Sequence, residues 1–241
     1  MNSQSDTAAA GSRHASPHLG IVATIYVILK IASVFPVSAF GSKRPWFPEL
    51  NAPADQVVSY FSTHAFPVML CAFLQLGAAI PFGIFAAAML SRMRFLGVNA
   101  AGAYIAFFGG AMAAVDELFS GAVVAVMAQP LVAQSPALVQ AFHYLSVALG
   151  GPGFTMPFGL LMAGVSVTAG SMKLLPRWVV GPGSVLALVG ELSWLSMLIP
   201  QAGILIPLAR WPGFVWLIAA GFKMPVGPRR DCLVHRTDSP L

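Results

Sequence analysis

Apolar residues run through this chain in long blocks separated by short polar or proline-rich connections. Six blocks, approximately 18–40, 67–90, 99–127, 136–169, 178–200 and 204–222, are long enough to cross a bilayer as helices, since a spanning helix takes roughly 17–25 apolar residues. The pattern predicts an all-α fold, a polytopic transmembrane helical bundle of six spans. Residues 1–17 read as a disordered tail, 18–222 as the bundle and 223–241 as a basic tail.

Periodicity within the third block predicts which side of its helix is buried. At about 100° per residue, Gly102, Ala106, Gly110 and Ala114 form a stripe of small side chains that includes Glu117. Asp116 falls at the edge of that stripe, beside Gly109 and Ala113. Tyr104, Phe107, Phe108, Met112, Val115, Leu118 and Phe119 take the opposite face. Small residues let membrane helices approach closely and bulky ones face lipid, so both carboxylates are expected to point into the bundle. In the fifth block Glu191 shares a sector with Gly183, Ala187 and Gly190, again on the side expected to be buried.

The fourth block is too long for one straight helix and contains Gly150-Gly151-Pro152-Gly153, then Pro157 and Gly159. Proline removes a backbone donor and glycine weakens a helix, so a kink or an unwound stretch is expected near mid-membrane. Irregular backbone at that depth requires burial in protein or a wet cavity.

The one long connection, 41–66, holds Pro45-Trp46-Phe47-Pro48 and then a short helical pattern. Asn51 suits its N-cap and Pro53 its first turn. Val57, Val58 and Phe61 share a face, which predicts a helix lying on the outer membrane surface as a cover over the bundle, with Trp46 and Phe47 as interfacial anchors.

Composition agrees with the pattern: 57% of residues are hydrophobic and only 9% charged, where soluble domains carry about 25%. The net charge of +5 could suggest a polyanionic partner. However, Arg13, Arg92, Arg94, Lys173, Arg177, Lys223, Arg229, Arg230 and Arg236 all fall on one side if both termini are cytoplasmic, against Lys43 and Arg44 on the other. That asymmetry orients a membrane protein. It predicts N-in and C-in topology, with the lipid bilayer and not nucleic acid as the partner. Lys30 in the first block argues against a cleaved signal peptide. Cys71 and Cys232 lie too far apart in the expected topology to pair.

The candidate chemistry lies in the ionisable residues inside the spans. Each costs roughly 2.5–3.5 kcal/mol on insertion scales, so it needs a partner or a task. By helical rise, Asp116, Glu117, Glu191, His143 and Arg210 fall in the outer half of the membrane within roughly 8 Å of depth. Lys30 lies a little deeper, so these six side chains can meet in one layer. Three readings are open. They can form a structural ion-pair network in a non-catalytic scaffold. They can line a site that binds or transports a small molecule with a linked proton, Glu117 or Glu191 exchanging it and Lys30 or Arg210 holding an anionic group. Or they can serve a carboxylate- or metal-dependent intramembrane enzyme acting on a lipid or terpenoid. A single histidine among carboxylates is a poor zinc signature, and neither H-E-x-x-H nor G-x-S-x-G occurs. No metal or cofactor is therefore expected. Transport by so small a unit would favour a homodimer.

Three stretches carry a likeness: Pro53-Ala54-Asp55-Gln56-Val57-Val58-Ser59-Tyr60-Phe61-Ser62-Thr63-His64, Leu175-Pro176-Arg177-Trp178, and the region from Trp211 to Trp216. In these the chain resembles an uncharacterised family of bacterial multi-span membrane proteins. The resemblance implies a protein of the bacterial cytoplasmic membrane and brings no assigned activity or functional residues. The working expectation is a small-molecule-binding or transporting membrane protein with an outer-half site.

Overall fold

The computed structural model describes residues 16–37, 48 and 52–227. The expected terminal tails, apart from 16–17 and 223–227, and the anchors Trp46 and Phe47 lie outside them. Every regular element among the described residues is helical. Six helical stretches are long and apolar enough to cross a membrane: Leu19–Val37, Ala65–Phe95, Ala101–Met127, Pro136–Ser171, Arg177–Met197 and Pro200–Lys223. The chain is a multi-pass membrane protein.

The spans are built from α1 (Leu19–Val34), α3 (Ala65–Phe95), α4 (Ala101–Met127), α6 (Pro136–Ala148), α7 (Phe154–Ser171), α8 (Arg177–Leu192) and α9 (Leu205–Lys223). Two short helices, α2 (Ala54–Thr63) and α5 (Pro130–Ala133), lie in the connections. Helices α1, α3, α4, α7, α8 and α9 pack each on the next, and α9 returns to α1 to close a ring. Inside the ring Tyr26, Phe82, Phe154, Phe158 and Phe214 are buried and in mutual ring contact, with centroids 4.6 Å apart for Tyr26–Phe82 and 5.5 Å for Tyr26–Phe214 and Phe154–Phe158.

Small residues set the spacing of the ring. A Cβ at Gly164 of α7 would lie 2.6 Å from Ala106 N and Gly102 O of α4. One at Gly221 of α9 would lie 2.8 Å from Gly20 N of α1. Backbones this close gain dispersion contacts that lipid cannot supply. The periodicity reading of α4 holds on both faces: Ala106, Gly110, Ala113 and Glu117 are buried, while Tyr104, Phe107, Phe108, Met112, Val115, Leu118 and Phe119 are exposed.

Two expectations need correction. Asn51 lies outside the described residues and Pro53 occupies the N-cap position, so α2 begins two residues later than its pattern suggested. Its face packs on the bundle as a cover would: Val57, Tyr60 and Phe61 are buried in a cluster with Val68, Ala72, Val124, Met127 and Val139 from α3, α4 and α6. This helix covers one end of the bundle. Burial, and then the nearby Cys71 thiol, pushes the Tyr60 phenol up to about 12. Arg92, expected in a connection, belongs to the last turn of α3 and is 3% exposed. It donates to Ser16 Oγ (2.6 Å), Pro17 O (3.5 Å) and Pro225 O (3.4 Å). The described chain ends therefore meet at one end of the bundle, and α2 caps the other.

Candidate functional site

The Gly150-Gly151-Pro152-Gly153 stretch does break its helix. A π-helical turn at Leu149–Gly153 separates α6 from α7, and Gly151 has non-helical angles of φ −89° and ψ −107°. A break leaves backbone carbonyls without their usual helical donors. Here they are satisfied from α9 and from the following turn. The Arg210 guanidinium donates through Nη2 to Gly150 O, to Gly151 O (3.2 Å) and to Thr155 Oγ1 (3.1 Å), and Thr155 Oγ1 donates to Gly151 O (2.8 Å).

Lys30 of α1 approaches from the other side. Its Nζ lies 2.5 Å from Glu117 Oε1, and Lys30 and Glu117 are only 8% and 2% exposed. Both cations approach the Phe154 ring, Lys30 Nζ at 6.0 Å and Arg210 Cζ at 5.1 Å from its centroid. An aromatic face attracts cations at such distances, so Phe154 partly offsets their desolvation.

Between the two cations lies a cavity of about 340 Å³, within the roughly 300–1,000 Å³ range of small-molecule pockets. Its polar lining includes Lys30, Arg210, Gln75, Ser120, Ser146 and the Gly150-Gly151 backbone. Val34, Val37, Val124, Val147 and Ile206 supply much of the apolar remainder. Ser120 donates to Ser146 O (3.3 Å) and Ser146 to His143 O (2.9 Å), which ties this wall of the cavity to α6.

Of the six residues singled out from the sequence, Lys30, Glu117 and Arg210 converge here, and the other three do not join them. His143 is buried beneath the α2 end, its ring facing the Pro48 carbonyl and the Phe61 ring, 6.2 Å between centroids. Asp116 is half-buried: its Cγ lies 3.8 Å from where a Cβ on Gly153 would sit, and it forms no ion pair with a described residue. Glu191 is half-buried on α8, with Oε1 enclosed and lacking a hydrogen-bond partner among the described residues. A shared depth is thus not a shared site. Depth fixes one coordinate, while the angle around the bundle keeps α8 out of the cavity walls, which come largely from α1, α3, α4, α6 and α9. Among the described residues no three His, Cys, Asp or Glu side chains gather as metal ligands.

Sequence reasoning missed Tyr26, Gln75 and Thr155. Tyr26 is fully buried, and its hydroxyl has no partner among the described residues. It precedes Lys30 by one helical turn, so i,i+4 spacing from the intramembrane lysine was the signal that pointed to it. Gln75 and Thr155 carried no such signal, since only the bend at Gly151 and the packing of α3 bring them to the site.

Compared with known protein families, with characterised proteins and with solved structures, the chain finds no match.

Proposed function

We propose that this protein binds, and moves across the membrane, a small molecule that occupies the cavity between Lys30 and Arg210. The observation that carries the reading is a cavity of about 340 Å³ opening beside a broken helix and two intramembrane cations. Charged side chains within spans mark ligand and ion paths, and broken helices in transporters line binding sites. The Lys30–Glu117 pair stands beside the ligand and stays closed while it is bound. Glu117 exchanges a proton on the return of the empty protein, which links movement to the proton gradient. The orientation is N-in and C-in in a bacterial cytoplasmic membrane, with the cavity in the outer half. A homodimer is the transporting form.

A second reading has its own support. Lys30 and Glu117 satisfy one another at 2.5 Å without a ligand, as a structural ion pair in a scaffold would. Val147→Trp separates the two, because Val147 lines the cavity and an indole there fills it. Under the binding reading, the variant folds with unchanged helicity and loses a saturable ligand found by screening acids, bases and neutral compounds for thermal stabilisation. If the parent protein carries no small molecule after gentle purification and gains stability from none of these classes, the scaffold reading replaces it. Cysteines introduced at the exposed Arg94 and Lys173 test orientation: a membrane-impermeant reagent should label both in inverted vesicles and neither when added outside intact cells.

A further inference from the structure

The charges around the cavity do not cancel. Lys30 and Glu117 neutralise each other across 2.5 Å, whereas the hydrogen-bond partners of Arg210 among the described residues are neutral: two backbone carbonyls and the Thr155 hydroxyl. Glu117, the carboxylate whose charge reaches Arg210, is already paired with Lys30. Asp116 sits toward Gly153, Glu191 sits on α8, and neither forms an ion pair with a described residue. The group of Lys30, Glu117 and Arg210 therefore carries one net positive charge, with Lys30 and Glu117 buried and Arg210 half-buried, where an uncompensated ion is costly.

Arg210 also has donors to spare. All its hydrogen bonds to described residues leave from Nη2, and Nε is buried without a partner among them. Resting on the reading of this cavity as a small-molecule site, we propose that its ligand is an organic monoanion, a compact apolar body ending in one carboxylate held by the Arg210 guanidinium. A single negative charge completes the count of the cavity's charges. The planar fork of an arginine suits a carboxylate. Val34, Val37, Val124, Val147 and Ile206 offer the apolar body a matching wall. A second negative charge on the ligand would reverse the imbalance, so dianions bind more weakly. The acid can come from the membrane, as a fatty acid, or from water, as a small dissolved carboxylate.

The test is equilibrium binding of octanoate, octanol, octylammonium and octyl phosphate to the purified full-length protein at pH 8. Octanoate should bind saturably, one per chain, and at least about tenfold more tightly than the other three, the factor one charge-assisted hydrogen bond supplies. Arg210→Gln should weaken octanoate by a similar factor with octanol unchanged, and Arg210→Lys should recover part of the loss. If Arg210→Gln does not fold, the comparison of the four compounds on the parent protein stands on its own. Octanol binding as tightly as octanoate overturns the monoanion proposal and leaves the cavity reading intact. Failure of all four to bind overturns both. A long-chain acid that co-purifies and is displaced by octanoate supports the proposal with a membrane source; a protein that arrives empty and takes up octanoate supports it with an aqueous one.

Discussion

Two arginines are drawn into opposite ends of this bundle, Arg92 buried and Arg210 half-buried, and neither forms an ion pair with a described carboxylate. Arg92, where the chain ends meet, is surrounded by Ser16, Pro17 and Pro225 and holds the entry to α1 beside the exit from α9. Arg210, toward the α2 end, is held by the broken backbone between α6 and α7 and lines a cavity. Both have an Nε without a partner among the described residues, so an orphaned donor alone does not mark a site. What distinguishes Arg210 is space: a cavity of about 340 Å³ into which its charge can be answered. The Arg92 end is a joint and the Arg210 end is a receptacle.

The largest expected effect tests whether the receptacle end is held by its ion pair. Lys30→Met leaves Glu117 alone in the bundle and should cost roughly 3–5 kcal/mol, the usual result of removing half of a buried pair. Adding Glu117→Gln to it should recover most of that loss in thermal unfolding of the purified protein. If Lys30→Met unfolds no earlier than the parent, the pair is not what stabilises this end.

The packed end is the next to break. Gly164→Val places its branched side chain against the Gly102 and Ala106 backbone of α4 and should cost about 1–3 kcal/mol through overpacking, with some of the strain released by helix separation. Ligand binding at the far end should weaken less than stability does. Equal loss of both would show that the two ends are one mechanical unit.

Arg92→Met sharpens the comparison directly. Loss of its hydrogen bonds to Ser16 and Pro225 should cost about 1–3 kcal/mol and leave ligand affinity unchanged. Hydrogen exchange should rise at residues 18–22 and 221–225 first. A change in affinity as large as that of Arg210→Gln would erase the distinction between joint and receptacle.

The smallest effect is expected one residue from Glu117, the partner of Lys30 in the buried pair. Asp116→Asn should change stability by less than about 0.5 kcal/mol, since it breaks no ion pair with a described residue. Glu117→Gln alone leaves Lys30 buried without its carboxylate and should cost roughly 3–5 kcal/mol. Thermal unfolding of Asp116→Asn beside Glu117→Gln measures the difference.

Much of this was legible before the structure. The small-residue stripe of α4 placed Glu117 inside and the aromatic face outside, because side-chain size and helical angle suffice to choose lipid or protein. The break after Leu149 was equally legible, since Pro152 and its flanking glycines cannot sustain the ladder. The gathering of six ionisable residues was not. It was inferred from depth along each span, and depth is silent about which helices are neighbours.

The sequence by itself determined six apolar spans, the buried face of α4 and the position of the helix break. All three follow from local chemistry repeated at a fixed rise and angle. Only the tertiary structure decided that α9 closes on α1, bringing Arg210 to the broken backbone and Lys30 to Glu117, while Glu191 and His143 stay apart. Those choices depend on the order of helices around the ring, which arises from close contacts such as Gly221 on Gly20 between residues two hundred positions apart in the chain.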